Sequence, residues 1–104
     1  MSEAYTDATF NIDDSGIAVF TMNRPDILNA LTDELKADYV RMLDAVQSND
    51  DVKVLIITGN GRAFSAGGNV KAMGDPKRAQ PVNGRSRILK LHDWFERLHN
   101  LDCP

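Results

Sequence analysis

An α/β fold with a parallel component is what this chain predicts, on three observations. Two β-rich stretches, ATFNID at 8–13 and IAVFTM at 17–22, stand at its start with the turn Asp14-Ser15-Gly16 between them. A long pattern of apolar residues at helical spacing follows. A short continuous apolar run, VKVLIIT at 52–58, comes next and empties into small residues. Strand, strand, helix, strand, short helix and long helix, in that order, is an α/β layout.

Each element has its own reason. The first two stretches alternate or are rich in β-branched residues around a Gly-containing turn, which reads as an antiparallel hairpin. Pro25 lacks an amide donor and holds φ, so Asn23-Arg24-Pro25-Asp26 opens a loop that continues through Ile27, Leu28, Asn29, Ala30 and Leu31. Thr32 is placed as an N-cap, with Asp33 and Glu34 in the first turn, where the helix dipole favours negative charge. Leu35, Tyr39, Met42, Leu43 and Val46 mark the helix's apolar stripe, which runs to about Gln47; Asp38 and Arg41 are assigned to the opposite face. A continuous apolar run such as VKVLIIT suits a strand covered on both faces. The chain holds no obvious parallel partner for it. Residues 70–73 read as a short helix, 75–84 (DPKRAQPVNG) as a mobile loop, and 85–100 as a second helix with Ile88, Leu91, Phe95 and Leu98 on one stripe and Trp94 beside it. The whole, 1–104, reads as one domain or a portion of one.

Composition narrows the function. With 26% charged residues, a net charge of −3 and mixed signs, there is no basic stripe to follow a nucleic-acid backbone, so no nucleic-acid role is expected. MSEAYTDATF lacks the basic and apolar regions of a secretory leader, and the longest apolar run is VLII, so a cytoplasmic protein with no membrane role is expected. The single cysteine, Cys103, forms no intramolecular disulfide and reads as an ordinary small apolar residue.

The stretch GNGRAFSAGGNV, 59–70, carries the chemistry. Three uses compete. A dinucleotide fingerprint needs a third glycine where Phe64 stands. A nucleophile elbow would centre on Ser65, but AFSAG lacks the first glycine, and His92 and His99 read as solvated or capping residues rather than a base. The third use is a backbone site: Ala66, Gly67 and Gly68 are small because a substrate lies against the main chain, with an N–H aimed at a developing oxyanion. In that reading Phe64 is the buried anchor of the turn.

NRPDILNALTDEL followed by a helix and then VLIITGNGRAFSAGGNVKAM resembles the crotonase family of enoyl-CoA hydratases and isomerases over nearly the whole chain. The resemblance implies the N-terminal part of a crotonase-like ββα spiral fold, incomplete here. It implies an enzyme acting on an acyl-CoA thioester, most directly by hydrating a trans-2-enoyl-CoA, with CoA as part of the substrate and no resident metal or cofactor. Ala66 then matches the position of the first oxyanion donor. Gly67, Gly68, Asn69 and Val70 match the lining of the thioester site. Asp26, Ile27, Leu28 and Ala30 match the loop that cradles CoA. Arg24 matches the family's N-R-P arginine, read as a structural salt bridge in the loop rather than a phosphate contact. Asn69 stands where most members have Asp, and Gly68 where many have Ala, which leaves the subtype open. Family chains are more than twice as long; their second donor and proton-transferring glutamates lie beyond the position of Pro104. The partner implied is the C-terminal remainder, in the same or a separate chain, in a homotrimer or hexamer. The alternatives are a non-catalytic acyl-CoA-binding module, or a related enzyme running isomerisation, dehalogenation or decarboxylation. Met73, Trp94 and Phe95 are candidates for the lining of an acyl tunnel, against the more ordinary reading of an apolar stripe as core.

Overall fold

A computed structural model describes residues 5–67 and 93–104. β1 (Ala8–Ile12) and β2 (Ile17–Met22) form the expected antiparallel hairpin, with Phe10 opposite Phe20. The turn between them is closed by Asp13, whose Oδ1 accepts the Ser15 and Ile17 amides. A single turn of 3-10 helix occupies Pro25–Ile27. Helix α1 (Asp33–Gln47) follows, and β3 (Val54–Gly59) closes the described sheet in the order β1-β2-β3. Residues 93–99 are helical. The expected short helix at 70–73, the loop at 75–84 and the start of the second helix lie outside the described residues. No helix among those described is long and apolar enough to cross a membrane.

The helix begins where the cap was placed. Thr32 is extended, and its hydroxyl oxygen accepts the Leu35 amide at 3.0 Å. Along β2 the residues alternate, so that Ala18, Phe20 and Met22 turn inward to meet Leu35, Met42, Leu43 and Val46 of α1. Phe20 and Leu43 are fully buried, each burial contributing about 1.5–3 kcal/mol. Aromatic rings extend this core toward the C-terminal helical residues: Phe20 meets Tyr39, and Tyr39 meets Trp94, each at 6.2 Å between centroids. Arg97 ties the same segment to α1 through Asp44 (2.6 Å) and Gln47. Cys103 packs half-buried against the core, as an apolar residue should.

Four sequence expectations change. First, the apolar strand β3 does have a parallel partner: it pairs with β2 from Ile17↔Val54 to Met22↔Gly59, with α1 as the crossover that parallel pairing requires. Second, β3 is not covered on both faces among the described residues. Leu55 and Ile57 turn toward the core, while Val54 and Ile56 are exposed. Third, Asp38 is not on the outer face of α1. It is fully buried, because it sits one turn from Leu35 and Met42 and the chain entering β1 crosses over it. Its carboxylate accepts the Thr6 and Asp7 amides (2.7–3.1 Å) and pairs with Arg41 at 3.0 Å, so the buried charge is partnered. Fourth, on the second helix Trp94 and Leu98 pack inward, whereas Phe95 is 62% exposed.

Candidate functional site

β2 and β3 end level, at Met22 and Gly59, because they run parallel and in register. The loops that follow both strands therefore leave from the same end of the sheet. In open parallel sheets this carboxyl end is where ligands bind. The two stretches singled out in the sequence, 23–31 and 59–67, thus meet in space.

The first loop is held by charge. Arg24 donates in a fork to both oxygens of Asp26 (3.1 Å each) and reaches buried Asp7 at 3.3 Å. The hydrogen bond from Arg24 holds the Asp26 carboxyl below its ordinary range. Asp7 also accepts the Thr32 hydroxyl proton, which links the loop to the helix cap. Arg24 therefore serves as the structural salt bridge expected of it. Leu28 (φ 55°) and Asn29 (φ 54°) then follow in left-handed backbone, a conformation that costs about 1–3 kcal/mol for a residue such as Leu.

The second loop lies against the first along a main-chain seam. Ala66 donates its amide to the Leu28 carbonyl at 2.9 Å, and Leu31 donates to the Gly67 carbonyl at 2.8 Å. Ser65 donates its hydroxyl proton to the Asn29 carbonyl (2.8 Å) and accepts the Gly67 amide (3.1 Å). Nearer the strands, the Asn29 carboxamide donates to the Asn60 and Ala63 carbonyls, both at 3.0 Å. Two glycines are required for different reasons. At Gly59 a Cβ would lie 2.4 Å from the Phe64 carbonyl oxygen and 2.8 Å from Asn29 Nδ2, so space forbids it. At Gly67 there is open space, but φ of +92° favours glycine.

These contacts revise the sequence-derived site. The Ala66 amide has one proton and gives it to Leu28, so in this arrangement it does not face a substrate, contrary to the role expected of it. Gly67 is likewise engaged, by Ser65. Ser65 is a tie between loops, with its proton and a lone pair both used, rather than a nucleophile. Phe64 is not the buried anchor; it is 59% exposed at the rim of an apolar cavity of about 260 Å³. That cavity lies between the sheet, α1 and the C-terminal helical residues, and Phe20, Ile57, Trp94 and Phe95 line it. Asp26 and Ile27 stand on the 3-10 turn, with Asp26 exposed; Ala30 is buried. The amides of Ile27, Leu28 and Ala30 close the turn on Arg24, Pro25 and Ile27 carbonyls. Gly68, Asn69, Val70 and Met73 lie outside the described residues. Sequence reasoning missed Asn29. The signal was present in an asparagine within an apolar loop, since Asn tolerates left-handed backbone and carries both donors and an acceptor.

Residues 13–104 match the model of the enoyl-CoA hydratase/isomerase family. Among curated proteins, the probable enoyl-CoA hydratase EchA14 of Mycobacterium tuberculosis is 35% identical over 95 residues, covering 88% of this chain and 34% of that protein. The 1,2-epoxyphenylacetyl-CoA isomerase of Escherichia coli is 35% identical over 92 residues (88% of this chain, 35% of that protein). The trans-2-decenoyl-[acyl-carrier-protein] isomerase of Streptococcus mutans is 30% identical over 87 residues (84% and 33%). An enoyl-CoA hydratase/isomerase structure from Xanthobacter autotrophicus superposes with a TM-score of 0.86 at 30% identity, over 97% of this chain and 37% of that one. An enoyl-CoA hydratase from Shewanella pealeana gives a TM-score of 0.88 at 19% identity, over 97% and 38%, a likeness of fold. The chain spans about a third of the length of these relatives. From the matched family model and these relatives, the chain belongs to the enoyl-CoA hydratase/isomerase, or crotonase, family.

Proposed function

We propose that this chain is the part of an acyl-thioester enzyme that holds the thioester and supplies the first oxyanion donor, most directly for adding water to a trans-2-enoyl-CoA. The observation that carries the reading is the seam itself. Two loops from the carboxyl ends of adjacent parallel strands are bonded main chain to main chain, with small residues at 66 and 67. Ala66 and Gly67 already donate within the seam, so the donor role passes to the next amide in the sequence, Gly68. Such a donor, aimed at the enolate oxygen, contributes about 3–4 kcal/mol to lowering the barrier. The apolar cavity between Ile57 and Trp94 is suited to the acyl chain, and the Asp26–Leu28 turn, exposed at Asp26 and half-buried at Ile27 and Leu28, to the CoA portion. One relative is named for an acyl-carrier-protein substrate and another for a CoA substrate, so the thioester is the shared element of the reading.

The second donor and the proton-transferring carboxylates come from polypeptide beyond this chain. What supports a joining place at the outer edge of β3 is that the Leu55 amide there donates to the Pro104 carbonyl at 2.9 Å, with Val54 and Ile56 exposed on the same strand. The test is turnover of crotonyl-CoA by this chain together with the polypeptide that completes it, followed as loss of the enoyl-thioester absorbance. Replacing Gly68 with Pro, which removes the donor proton, is expected to lower kcat roughly a hundredfold or more with KM little changed. Full turnover by that variant overturns the role.

A further inference from the structure

We propose that Asn29 is the positioning residue of this site: its carboxamide sets the course of residues 59–67, the turn that follows β3. The inference rests on the thioester reading above, but its structural content stands apart from it. Asn29 is fully buried. Its Oδ1 accepts the Arg24 amide at 2.8 Å, and its Nδ2 gives its protons to the Asn60 and Ala63 carbonyls. Its own amide donates to the Arg24 carbonyl and its carbonyl receives the Ser65 hydroxyl. One residue therefore ties its own loop, at Arg24, to the distant stretch 60–65.

The other groups of the turn do not take that place. Phe64 and Arg62 are exposed, and Ser65 bonds the loop only at its far end. Gly59 is packed directly on the carboxamide, since a Cβ there would stand 2.8 Å from Nδ2. The carboxamide is also the chemistry the position demands. Two carbonyl oxygens face it and need two protons, while the Arg24 amide needs an acceptor. Asn supplies all three from one planar group, and an ionised carboxylate supplies only the acceptor. The left-handed backbone at 29 is one that Asn adopts more readily than most residues.

The test uses two variants of this chain. Asn29→Gly keeps the backbone conformation and removes the carboxamide. Asn29→Asp keeps the shape and the acceptor and removes the donors. Amide hydrogen exchange is read residue by residue. In both variants exchange at Leu31 and Ala66, whose amides cross the seam, is expected to quicken roughly ten- to hundredfold, with β1–β3 protection kept. Unchanged exchange at Leu31 and Ala66 overturns the proposal. Loss of protection throughout the sheet in both variants also overturns it, because Asn29 would then be holding the fold rather than the turn. A second readout is the carbonyl stretch of crotonyl-CoA carrying 13C at the thioester, measured on the bound ligand. A positioning role predicts a shift to lower frequency with the native chain that recedes in Asn29→Gly. A purely structural role would reduce the amount bound without moving the frequency, and that result counts against positioning. If the native chain produces no shift, the thioester reading fails while the exchange result still decides the role of Asn29.

Discussion

The interior between the sheet and α1 and the seam at the strand ends are built from different forces. Between sheet and helix the contacts are apolar: Phe20, Leu35, Met42 and Leu43 are all but inaccessible. At the strand ends the fully buried residue is Asn29, and the neighbours it holds are carbonyls, amides and one hydroxyl. Apolar packing is non-directional and scales with area, so it tolerates exchanges that keep volume. Hydrogen bonds at a seam fix direction, so an exchange that keeps volume but loses a proton leaves a buried acceptor without a partner. The first region supplies stability. The second fixes the course of the main chain where the two loops meet.

Three substitutions sharpen that contrast, in falling order of effect. Phe20→Ala empties the centre of the core and is expected to lower unfolding stability by about 3–5 kcal/mol in a denaturant melt. Under conditions where the chain remains folded, exchange at Ala66 should be no faster than the global loss requires. A selective opening of the seam would show that the two regions are not separable. Gly59→Ala is the opposite probe. Its Cβ would press on the Phe64 and Ala63 carbonyls and on Asn29 Nδ2, at an expected cost of about 1–3 kcal/mol, with exchange at Leu31 and Ala66 quickening before that of β2. An unchanged melt and unchanged exchange would mean the turn yields without cost. Thr32→Ala tests the junction. It removes the acceptor of the Leu35 amide and the donor to Asp7, for an expected loss near 1 kcal/mol. A loss as large as that of Phe20→Ala would place Thr32 and Asp7 in the core rather than at its boundary with the seam.

Much of the fold was legible in the chain because its signals are local. Alternation marked β1 and β2, spacing marked α1 through Gln47, and Thr32 announced the helix start, all within a few residues of the atoms involved. The stretch 59–67, singled out by its small residues, does leave the carboxyl end of a strand that runs parallel to its neighbour. The details were not legible. Asp38 shares a helical face with Leu35 and Met42, but whether a carboxylate there meets water or two amides depends on the path of residues 6 and 7. Phe64 reads as an anchor by size, yet Asn29 holds the turn and the ring stands exposed.

The sequence by itself determined the α/β class, the order of the strands and α1 among the described residues, the cap and, through two motifs in the right order, the family. Tertiary structure alone decided that β3 pairs with β2, that the Ala66 proton goes to Leu28, and that a carboxamide rather than a ring sets the turn. The reason is one of range. Periodicity and capping are written in neighbouring residues, whereas a single amide proton is assigned by whichever carbonyl the fold brings to it. Here those partners come from a loop on the far side of α1 in the sequence.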